Sequence, residues 1–349
     1  NALQHIDVNN GDRVGLYLTN NPEFVFGIYA CAKLGAIEAP INWKYRAREM
    51  VHAIQSAEIS TVVAEPNDDM IDVLLSAAPE TDHLDQVVMT GEHRFDEVQE
   101  LSGLETYLLD DLEESVSDEA PGVDVEYEDP LGILYTSGTT GLPKPTVLTN
   151  KSFLLAGKSM LGVPFDDSDV NYNPYPLFHV NNQCYSMLGS AIHGSGYVLS
   201  DEFSISRFWE EVTENDVTSF NPIGGVPKKL YSQFSSGEIP ANDLELALGP
   251  ISEELWEHFE EKFDLNVIQL YSQTESPTLL VDHPDIEQVK VGALGKPMFP
   301  DLGHEAWVED EDGNEVAPGE KGELVRTDPG SMREYWEQPE KTKETLRDG

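Results

Sequence analysis

The residues with the clearest chemical potential form one loop that combines glycines, hydroxyl side chains and a lysine. The loop runs from Thr136 to Lys144 and reads TSGTTGLPK. Glycines let a backbone approach an anion closely, hydroxyls donate short hydrogen bonds, and a lysine supplies a positive charge. Together these properties predict a phosphate-binding loop. Its candidate phosphate ligands are Thr136, Ser137, Gly138, Thr139, Thr140, Gly141 and Lys144.

This loop differs from the Walker phosphate loop. A Walker pattern that starts at Gly138 requires glycine at position 143 and serine or threonine at position 145, and both positions are proline. The residues that follow, Thr146 to Thr149, are typical of a strand rather than of a helix. Because a run of Ser, Thr and Gly is by itself more often a flexible surface loop, the assignment depends on motifs elsewhere in the chain.

Two later segments add side chains that suit a nucleotide site. Tyr271 to Glu275 reads YSQTE and follows a predicted strand, the position at which α/β proteins bind ligands. Tyr175 to Asn181 reads YPLFHVN. A carboxylate beside a triphosphate requires a cation between them, and Mg²⁺ binds through one or two carboxylates plus phosphate oxygens. Taken alone, Glu275 also fits a surface acid and His179 a core histidine.

In this order and spacing, the three segments resemble the motifs of the adenylate-forming superfamily, which includes acyl-CoA synthetases, luciferases and the adenylation domains of peptide synthetases. The loop is similar to the family's phosphate-binding signature, and YSQTE is similar to its YGxTE motif. The resemblance implies that Tyr271 stacks on adenine, Thr274 contacts the α-phosphate and Glu275 holds Mg²⁺. It assigns catalysis of adenylation to Thr139, Lys144 and Glu275.

The PLFH part of the second segment resembles the family motif that borders the acyl pocket. Amino-acid-activating members have Phe-Asp where this chain has Phe178-His179, so that a carboxylate pairs with the substrate ammonium. The resemblance therefore implies a plain carboxylic acid as substrate, in the acyl-CoA synthetase branch that serves fatty acid metabolism. Ser272 replaces the usual glycine of YGxTE and is expected to narrow the pocket. The acyl-binding candidates are Phe178, His179, Val180, Gly225, Val226 and Ser272.

Weaker matches extend the resemblance nearly to both ends of the chain. Gly224 to Leu230 resembles a V-P helix start that lines the acyl tunnel, although an ordinary loop-to-helix turn fits equally. Leu246 to Pro250, which includes the ATP-binding candidate Gly249, stands in place of a turn that packs on adenine, and it is several residues short. Gly322 to Arg326 and Met332 to Trp336 resemble the family's GEL and GYxxxPE region.

The family continues beyond these motifs with an Asp that holds the ribose and a small C-terminal domain whose lysine contacts the reacting carboxylate. The sequence stops at Gly349, so we expect the large N-terminal domain, with weak activity by itself. The reaction implied is ATP- and Mg²⁺-dependent formation of acyl-AMP and pyrophosphate, followed by thioester formation with coenzyme A. Transfer to a carrier protein and a non-catalytic module that binds ATP or an acyl group remain alternatives.

Alternating strand and helix patterns must position these motifs. Val14 to Leu18 predicts a strand, Asn21 is a candidate N-cap before Pro22, and Gly35 fits just past the helix end. Continuous apolar strands that alternate with helices indicate a parallel sheet covered on both faces. The predicted fold is α/β, with a layered αβαβα large domain of two mainly parallel sheets, a small β-barrel-like subdomain and no small C-terminal domain.

The predicted organisation divides the chain near residue 290. Residues 1–290 form the AMP-binding large domain, with two α/β subdomains that meet near residue 185, and residues 291–349 form a β-rich subdomain. The acidic stretch Glu92 to Asp129 is interpreted as a solvated connection with short elements. Asp312-Gly313 predicts a hairpin turn.

Acidic residues dominate the composition: 65 Asp and Glu face 21 Lys and Arg, which leaves a formal charge of −44 over 349 residues. Such a surface excludes nucleic acid and anionic membranes as default partners, since both bind basic patches. At about 1 M salt the Debye length falls to about 3 Å, and the repulsion is screened. Because the acids are spread along the chain, we predict a halophilic protein of a salt-rich cytoplasm.

The cysteines and the hydropathy of the chain exclude further classes of protein. Cys31 and Cys184 lie far apart in apolar surroundings, which excludes a disulfide framework and a Cys/His zinc site. No stretch approaches about 18 uninterrupted apolar residues and no signal peptide is recognisable, so we expect a cytoplasmic protein without a membrane span. The expected partners are a small-molecule carboxylic acid, ATP and CoA, and a homo-oligomer is compatible with the sequence.

Overall fold

The structure, a computed structural model, describes residues 1–136, 141–234, 237–282 and 290–347. The strands are β1 (Arg13–Tyr17), β2 (Ile37–Pro40), β3 (Thr61–Ala64), β4 (Gln86–Met89), β5 (Glu105–Leu108), β6 (Pro130–Thr136), β7 (Lys144–Thr149), β8 (Val170–Asn173), β9 (Gly196–Leu199), β10 (Ser219–Phe220), β11 (Leu246–Leu248), β12 (Asn266–Ile268), β13 (Leu270–Gln273), β14 (Ser276–Val281), β15 (Lys296–Pro297), β16 (Glu305–Glu309), β17 (Glu323–Thr327) and β18 (Glu334–Tyr335). The α-helices are α1 (Ala2–His5), α2 (Pro22–Leu34), α3 (Ala47–Ser56), α4 (Asp68–Ala77), α5 (Phe95–Gln99), α6 (Leu109–Ser115), α7 (Asn150–Lys158), α8 (Gly189–His193), α9 (Phe208–Glu214), α10 (Val226–Phe234), α11 (Glu253–Phe263) and α12 (Pro339–Thr345). A π-helix covers Asn181–Leu188, and 3₁₀ turns cover Ala78–Glu80, Ser159–Gly162 and Pro300–Leu302.

The chain folds into two compact units. The first contains residues 1–151, 176–179 and 332–349, and the second contains residues 152–175 and 180–331. This division differs from the predicted boundaries near residues 185 and 290. The end of the chain belongs to the first unit because β18 pairs with β7.

The first unit is built on an eight-stranded sheet with the order β18-β7-β6-β2-β1-β3-β4-β5. Strands β1 to β6 pair in parallel, whereas β7 runs antiparallel to β6 and β18 runs antiparallel to β7. The central strands are buried along their length, as every residue of β2 and β3 shows. This confirms the α/β class and a mainly parallel sheet covered on both faces.

Helix α2 shows how local sequence sets the elements of this unit. The Asn21 side chain accepts a hydrogen bond from the Phe24 amide at 2.9 Å, and Pro22 occupies the first helical position. Gly35 ends the helix with φ of 69°, in the left-handed region that glycine adopts without strain. The predicted N-cap and helix end are both confirmed.

The acidic stretch Glu92 to Asp129 contributes more than a connection. It contains α5, β5 and α6, and β5 extends the first sheet by pairing in parallel with β4. We predicted short elements here without placing one in the sheet. Because β5 is an edge strand whose residues are half-buried or exposed, its sequence lacks the apolar run of the central strands.

The second unit contains the other parallel sheet, with the order β12-β11-β10-β8-β9. Its core is aromatic and includes Tyr172, Phe208, Phe220, Trp256 and Phe259, which are almost inaccessible to solvent. The rings of Phe208 and Phe220 meet edge to face with centres 5.2 Å apart, a favourable geometry for aromatic pairs. Two mainly parallel sheets are therefore present, as predicted.

Two small antiparallel sheets complete the second unit, one of β13, β14 and β15 and one of β16 and β17. The β-rich part thus begins at β13, before the predicted start at residue 291, because β15 pairs with β14. Between β16 and β17, the Gly313 amide donates to the Asp310 carbonyl at 3.1 Å, and Gly313 has φ of 81°. The predicted turn at Asp312-Gly313 is present.

Two further features bear on the expectations from composition. Within the described ranges, no helix combines the length and the apolar character that a membrane span requires. Cys31 and Cys184 are both buried. Burial, with the Glu38 carboxylate adding to it, raises the pKa of the Cys31 thiol well above its usual range, so this thiol stays protonated.

Candidate active site

The predicted phosphate loop joins the antiparallel strands β6 and β7 of the first unit. Thr136 ends β6, Lys144 begins β7, and the two residues pair with each other in the sheet. Both ends of the loop therefore lie side by side. Four of the predicted phosphate ligands, and with them one predicted catalytic residue, lie outside the described residues: Ser137, Gly138, Thr139 and Thr140.

The side chain of Thr136 lies at the start of this loop. Its Oγ1 atom is buried and has no hydrogen-bond partner among the described residues. A buried hydroxyl without a partner costs about 1–3 kcal/mol, and a phosphate oxygen is a suitable acceptor for it. Gly141, near the other end of the loop, is exposed, and a Cβ there would meet no atom within 4 Å. No described neighbour requires glycine at position 141.

Lys144 is held against the last strand of the first sheet. Its Nζ donates to the Tyr335 hydroxyl at 2.8 Å and lies 4.1 Å from the centre of the Tyr335 ring. An ammonium over an aromatic face is stabilised by the ring quadrupole in addition to the hydrogen bond. The structure thus places the predicted phosphate-binding charge beside the loop, on a buried tyrosine of β18.

The PLFH segment is a turn that is anchored near the carboxyl end of β1. The Leu177 amide donates to the Oδ1 atom of Asn20 at 2.7 Å. Phe178 and His179 pack their rings with centres 4.6 Å apart. His179 is exposed to solvent. The surrounding protein nevertheless lowers its pKa by partial desolvation, which favours the neutral imidazole at pH 7. The segment presents two adjacent uncharged rings.

Thr274 and Glu275 form the tip of a tight hairpin in the second unit. Gln273 of β13 and Ser276 of β14 pair with each other, so the two residues between them make the turn. A bulge in β13 precedes this pair and changes the direction of the strand. The predicted α-phosphate and Mg²⁺ ligands therefore stand next to each other, half-buried, on one turn.

Ser272 lies in the bulge, next to the half-buried Tyr271, and bonds to the π-helix. Its Oγ atom lies 2.7 Å from the Tyr185 hydroxyl, which lies 2.6 Å from the Pro277 carbonyl oxygen. Because a carbonyl only accepts, Tyr185 donates to Pro277 and accepts from Ser272. Burial raises the pKa of Tyr185 far above its usual range, which keeps the proton in place. Ser272 thus ties the hairpin to the π-helix.

Gly249 follows β11 at the carboxyl end of the second parallel sheet. Its amide donates to the Ile268 carbonyl at 2.9 Å. A Cβ at this position would lie 2.7 Å from the Pro222 carbonyl oxygen, closer than Cβ atoms approach in proteins. Only glycine fits there. That the backbone at Gly249 packs against adenine stays a prediction.

The remaining acyl candidates lie at the starts of two helices. Val226 is the first residue of α10 and is buried, whereas Gly225 before it is exposed. The Tyr175 hydroxyl donates to the Ile223 carbonyl at 2.7 Å and fixes the approach to this helix. Val180 immediately precedes the π-helix and is half-buried. Their acyl-binding role stays a prediction.

A network of asparagines inside the second unit was missed by the sequence analysis. Asn173 donates to Asn181 at 2.7 Å and to Ser186 at 2.9 Å, and Asn182 accepts from the Tyr197 hydroxyl at 2.7 Å. The two bonds of Asn173 hold the π-helix against β8, and the bond from Tyr197 holds it against β9. The available signal was asparagine inside a strand, where that residue is depleted.

The chemistry of Glu275 fits a magnesium ion that is bound together with a nucleotide. Among the described residues, no group of three or more His, Cys, Asp or Glu side chains could hold a metal ion. Glu275 alone supplies one carboxylate, and Mg²⁺ commonly combines one or two carboxylates with substrate phosphates. Thr136 and Lys144 come together in the first unit, and Thr274 and Glu275 come together in the second. That both sets meet one nucleotide stays a prediction.

Comparison with known proteins identifies a family and several relatives. The family model described as AMP-binding enzyme matches residues 1–336. The chain is 27% identical over 354 residues to the crotonobetaine/carnitine–CoA ligase of Salmonella enteritidis PT4, covering 99% of this chain and 66% of that protein. The chain therefore spans slightly less than two thirds of the length of this curated relative.

Solved structures show the same fold at low identity. An anthranilate CoA ligase in complex with anthranoyl-AMP has a TM-score of 0.88 at 22% identity, over 99% of this chain and 66% of that one. A Mycobacterium tuberculosis fatty acyl CoA synthetase has a TM-score of 0.80 at 24% identity, over 99% of this chain and 65% of that one. Both likenesses concern the fold, since the identities are below 25%.

Proposed function

Because the chain belongs to the AMP-binding enzyme family, we propose that it is the large domain of an acyl-CoA synthetase that activates a plain carboxylic acid with ATP. The observation that carries the proposal is the TSGTTGLPK loop, whose two ends, Thr136 and Lys144, are paired where β6 passes into β7. The names of the relatives, among them a fatty acyl CoA synthetase and a carnitine–CoA ligase, support the same class.

The proposed reaction has two halves. An oxygen of the carboxylate attacks the α-phosphorus of ATP, the bond from that phosphorus to the bridging oxygen breaks, and pyrophosphate leaves with the electron pair. The sulfur of CoA then attacks the acyl carbon, the thiol proton passes to solvent, and AMP leaves. In the first half the protein acts mainly by positioning the reactants and by stabilising charge.

Named residues have distinct tasks in this scheme. The hydroxyl of Thr136 and the ammonium of Lys144 bind β- and γ-phosphate oxygens, and Thr274 binds the α-phosphate. Mg²⁺ would be held by Glu275 with phosphate oxygens and would neutralise phosphate charge. Tyr271 and the bare backbone at Gly249 flank the adenine.

The substrate class follows from the uncharged PLFH turn. With Phe178 beside a neutral His179, the segment lacks the carboxylate that would pair with an amino group. Without that carboxylate, an α-ammonium group bound here would have no opposite charge to offset its lost hydration. We therefore propose a carboxylic acid without an α-amino group, and a compact one because Ser272 adds a side chain at the acyl wall.

The test is acid-dependent exchange of labelled pyrophosphate into ATP, measured in molar KCl with the product of the full reading frame. The acids run from acetate through long-chain and aromatic acids to amino acids. Exchange with one class of plain acids is the expected result, and exchange only with amino acids would contradict the substrate class. ATP binding without exchange for any acid would replace the enzyme by a binding module. Adding free CoA and measuring thioester separates CoA from a carrier-protein acceptor.

A further inference from the structure

A buried pair of opposite charges stands at the end of β17, where Arg326 ends the GEL-like segment and Asp328 lies just beyond it. The side chains of Arg326 and Asp328 are 6% and 0% exposed, and their Nη2 and Oδ2 atoms are 3.6 Å apart. Buried charges are costly unless they are paired and hydrogen-bonded. In a chain with a formal charge of −44, this cost indicates that the buried pair has a structural or functional role.

Both side chains reach the first residues of β14. Asp328 Oδ2 accepts from the Ser276 hydroxyl at 2.7 Å and from the Thr278 amide at 3.1 Å. Arg326 donates to the Ser276 carbonyl at 3.3 Å and to the Thr278 carbonyl. Strand β15 pairs with β14 only at Leu280 and Val281. The charged pair therefore holds the part of β14 that β15 does not cover.

Two further groups, His304 and the Gly330 amide, contact the charged pair. His304, which is 1% exposed, places Nε2 2.9 Å from Arg326 Nη2, and the Gly330 amide donates to Asp328 Oδ1 at 2.7 Å. Since the guanidinium only donates, His304 accepts with its neutral ring. Each charged group thus has partners on both sides, which gives the arrangement little freedom to move.

The position of Ser276 connects this arrangement to the nucleotide site. Ser276 directly follows Glu275 and pairs with Gln273 at the base of the turn. Fixing the hydroxyl and the carbonyl of Ser276 therefore fixes where the Glu275 carboxylate stands. A displacement of about 1 Å at a reacting group costs on the order of 100-fold in rate.

We infer that Arg326 and Asp328 are positioning residues that brace β14 so that Thr274 and Glu275 meet the nucleotide and its magnesium. The inference rests on the proposed function. Neither residue touches substrate; both act through the backbone and hydroxyl of β14. Arginine suits this task because its planar fork donates to two carbonyls at once, which the ammonium of lysine cannot reproduce.

The test measures ATP affinity by calorimetry in excess MgCl2 and in EDTA, with the full reading frame in molar KCl. The variants are Asp328→Asn, Arg326→Lys and Ser276→Ala, with Glu275→Gln as the reference for loss of the carboxylate itself. Asp201→Asn, in an exposed pair with Arg207, is the control. We expect the affinity advantage of magnesium to fall at least about fivefold in Asp328→Asn and Arg326→Lys, with a smaller loss of affinity in EDTA, where only the phosphate contact of Thr274 is affected.

A wild-type magnesium advantage in either folded variant overturns the inference, and so does an equal loss of affinity in MgCl2 and in EDTA. If both variants fail to fold, Ser276→Ala decides, because it removes one hydroxyl and leaves the buried charges paired. A magnesium advantage in that variant equal to wild type overturns the brace. A wild-type protein that binds no ATP, by contrast, contradicts the proposed function and is recognised before any variant is made.

Discussion

Lys144 and Tyr335 are joined twice, by a hydrogen bond of 2.8 Å from Nζ to the phenol oxygen and by an ammonium 4.1 Å from the ring centre. The pairing of β7 with β18, which sets Tyr335 opposite Thr146, brings the two side chains together. The lysine therefore starts from a fixed place beside the phosphate loop. Its four-carbon stem lets the ammonium turn toward an anion without moving the strand.

Replacing Lys144 by alanine removes this charge. We expect Lys144→Ala to lower the rate of pyrophosphate exchange at least tenfold, about 1.4 kcal/mol of barrier, because phosphate charge in the transition state loses a partner. Lys151→Ala is the matched control, since Lys151 pairs with Glu128 at 3.0 Å on the surface. Equal rates for the two variants would remove Lys144 from the site.

The bond between Ser272 and Tyr185 sets a second prediction, on acid size. Ser272→Gly removes the side chain that is expected to narrow the acyl pocket. It should raise the rate of exchange with long acids relative to short acids, by about tenfold for each additional methylene group that the pocket accepts. Tyr185→Phe keeps the ring and loses only the hydroxyl. It should retain the preference for short acids if volume decides. An unchanged ratio in Ser272→Gly would mean that this residue does not line the pocket.

His304 predicts a pH dependence of stability. Burial, followed by opposing effects of Asp328 and Arg326, lowers its pKa to about 4, whereas an unfolded histidine titrates near 6.5. Between these values the unfolded chain binds the additional proton, so the free energy of unfolding falls as pH falls from about 6.5 to about 4. His304→Gln keeps an acceptor for Arg326 and should flatten this part of the curve.

The measurement is urea unfolding across that pH range in molar KCl, with His258→Gln on the exposed face of α11 as the control. Other acids also titrate in this range, so the quantity compared is the difference between wild type and variant. Parallel curves for wild type and His304→Gln would show that His304 does not take part.

The charge balance predicts dependence on salt. One surface cluster shows how the acids outnumber the bases: the single Arg94 contacts both Asp72 and Glu97, each at 2.8 Å. With 65 acids against 21 bases, we expect the melting temperature to rise steeply as KCl increases toward about 1 M, where the Debye length is about 3 Å. A neutral osmolyte at equal osmolality should not replace KCl. A melting temperature that ignores KCl contradicts the halophilic prediction.

Local signals in the sequence predicted much of the fold. The cap at Asn21, the proline after it and the glycine at position 35 act within one helix, so a short window contains all the information. The edge strand β5 was not placed in the sheet, because its pairing with β4 leaves no apolar run in its own residues.

The residues that hold the candidate site in place could not be predicted from local sequence patterns. Asn20 holds Leu177 across 157 positions, and Arg326 holds Ser276 across 50. A short window of sequence contains only one residue of each pair, so it cannot indicate the other. The motif residues could be named from their resemblance to a family, whereas the residues that fix them belong to distant parts of the chain and carry ordinary side chains.

The late position of β18 in the chain has a consequence for folding during biosynthesis, because β18 forms the edge of the first sheet beside β7. Lys144 leaves the ribosome 191 residues before Tyr335. Until then β7 pairs only with β6. Its other edge is open to pairing with other chains, and Lys144 lacks the tyrosine to which it donates. We therefore expect nascent chains that are stalled between β7 and β18 to depend most on chaperones. We also expect nucleotide binding to begin only late in translation.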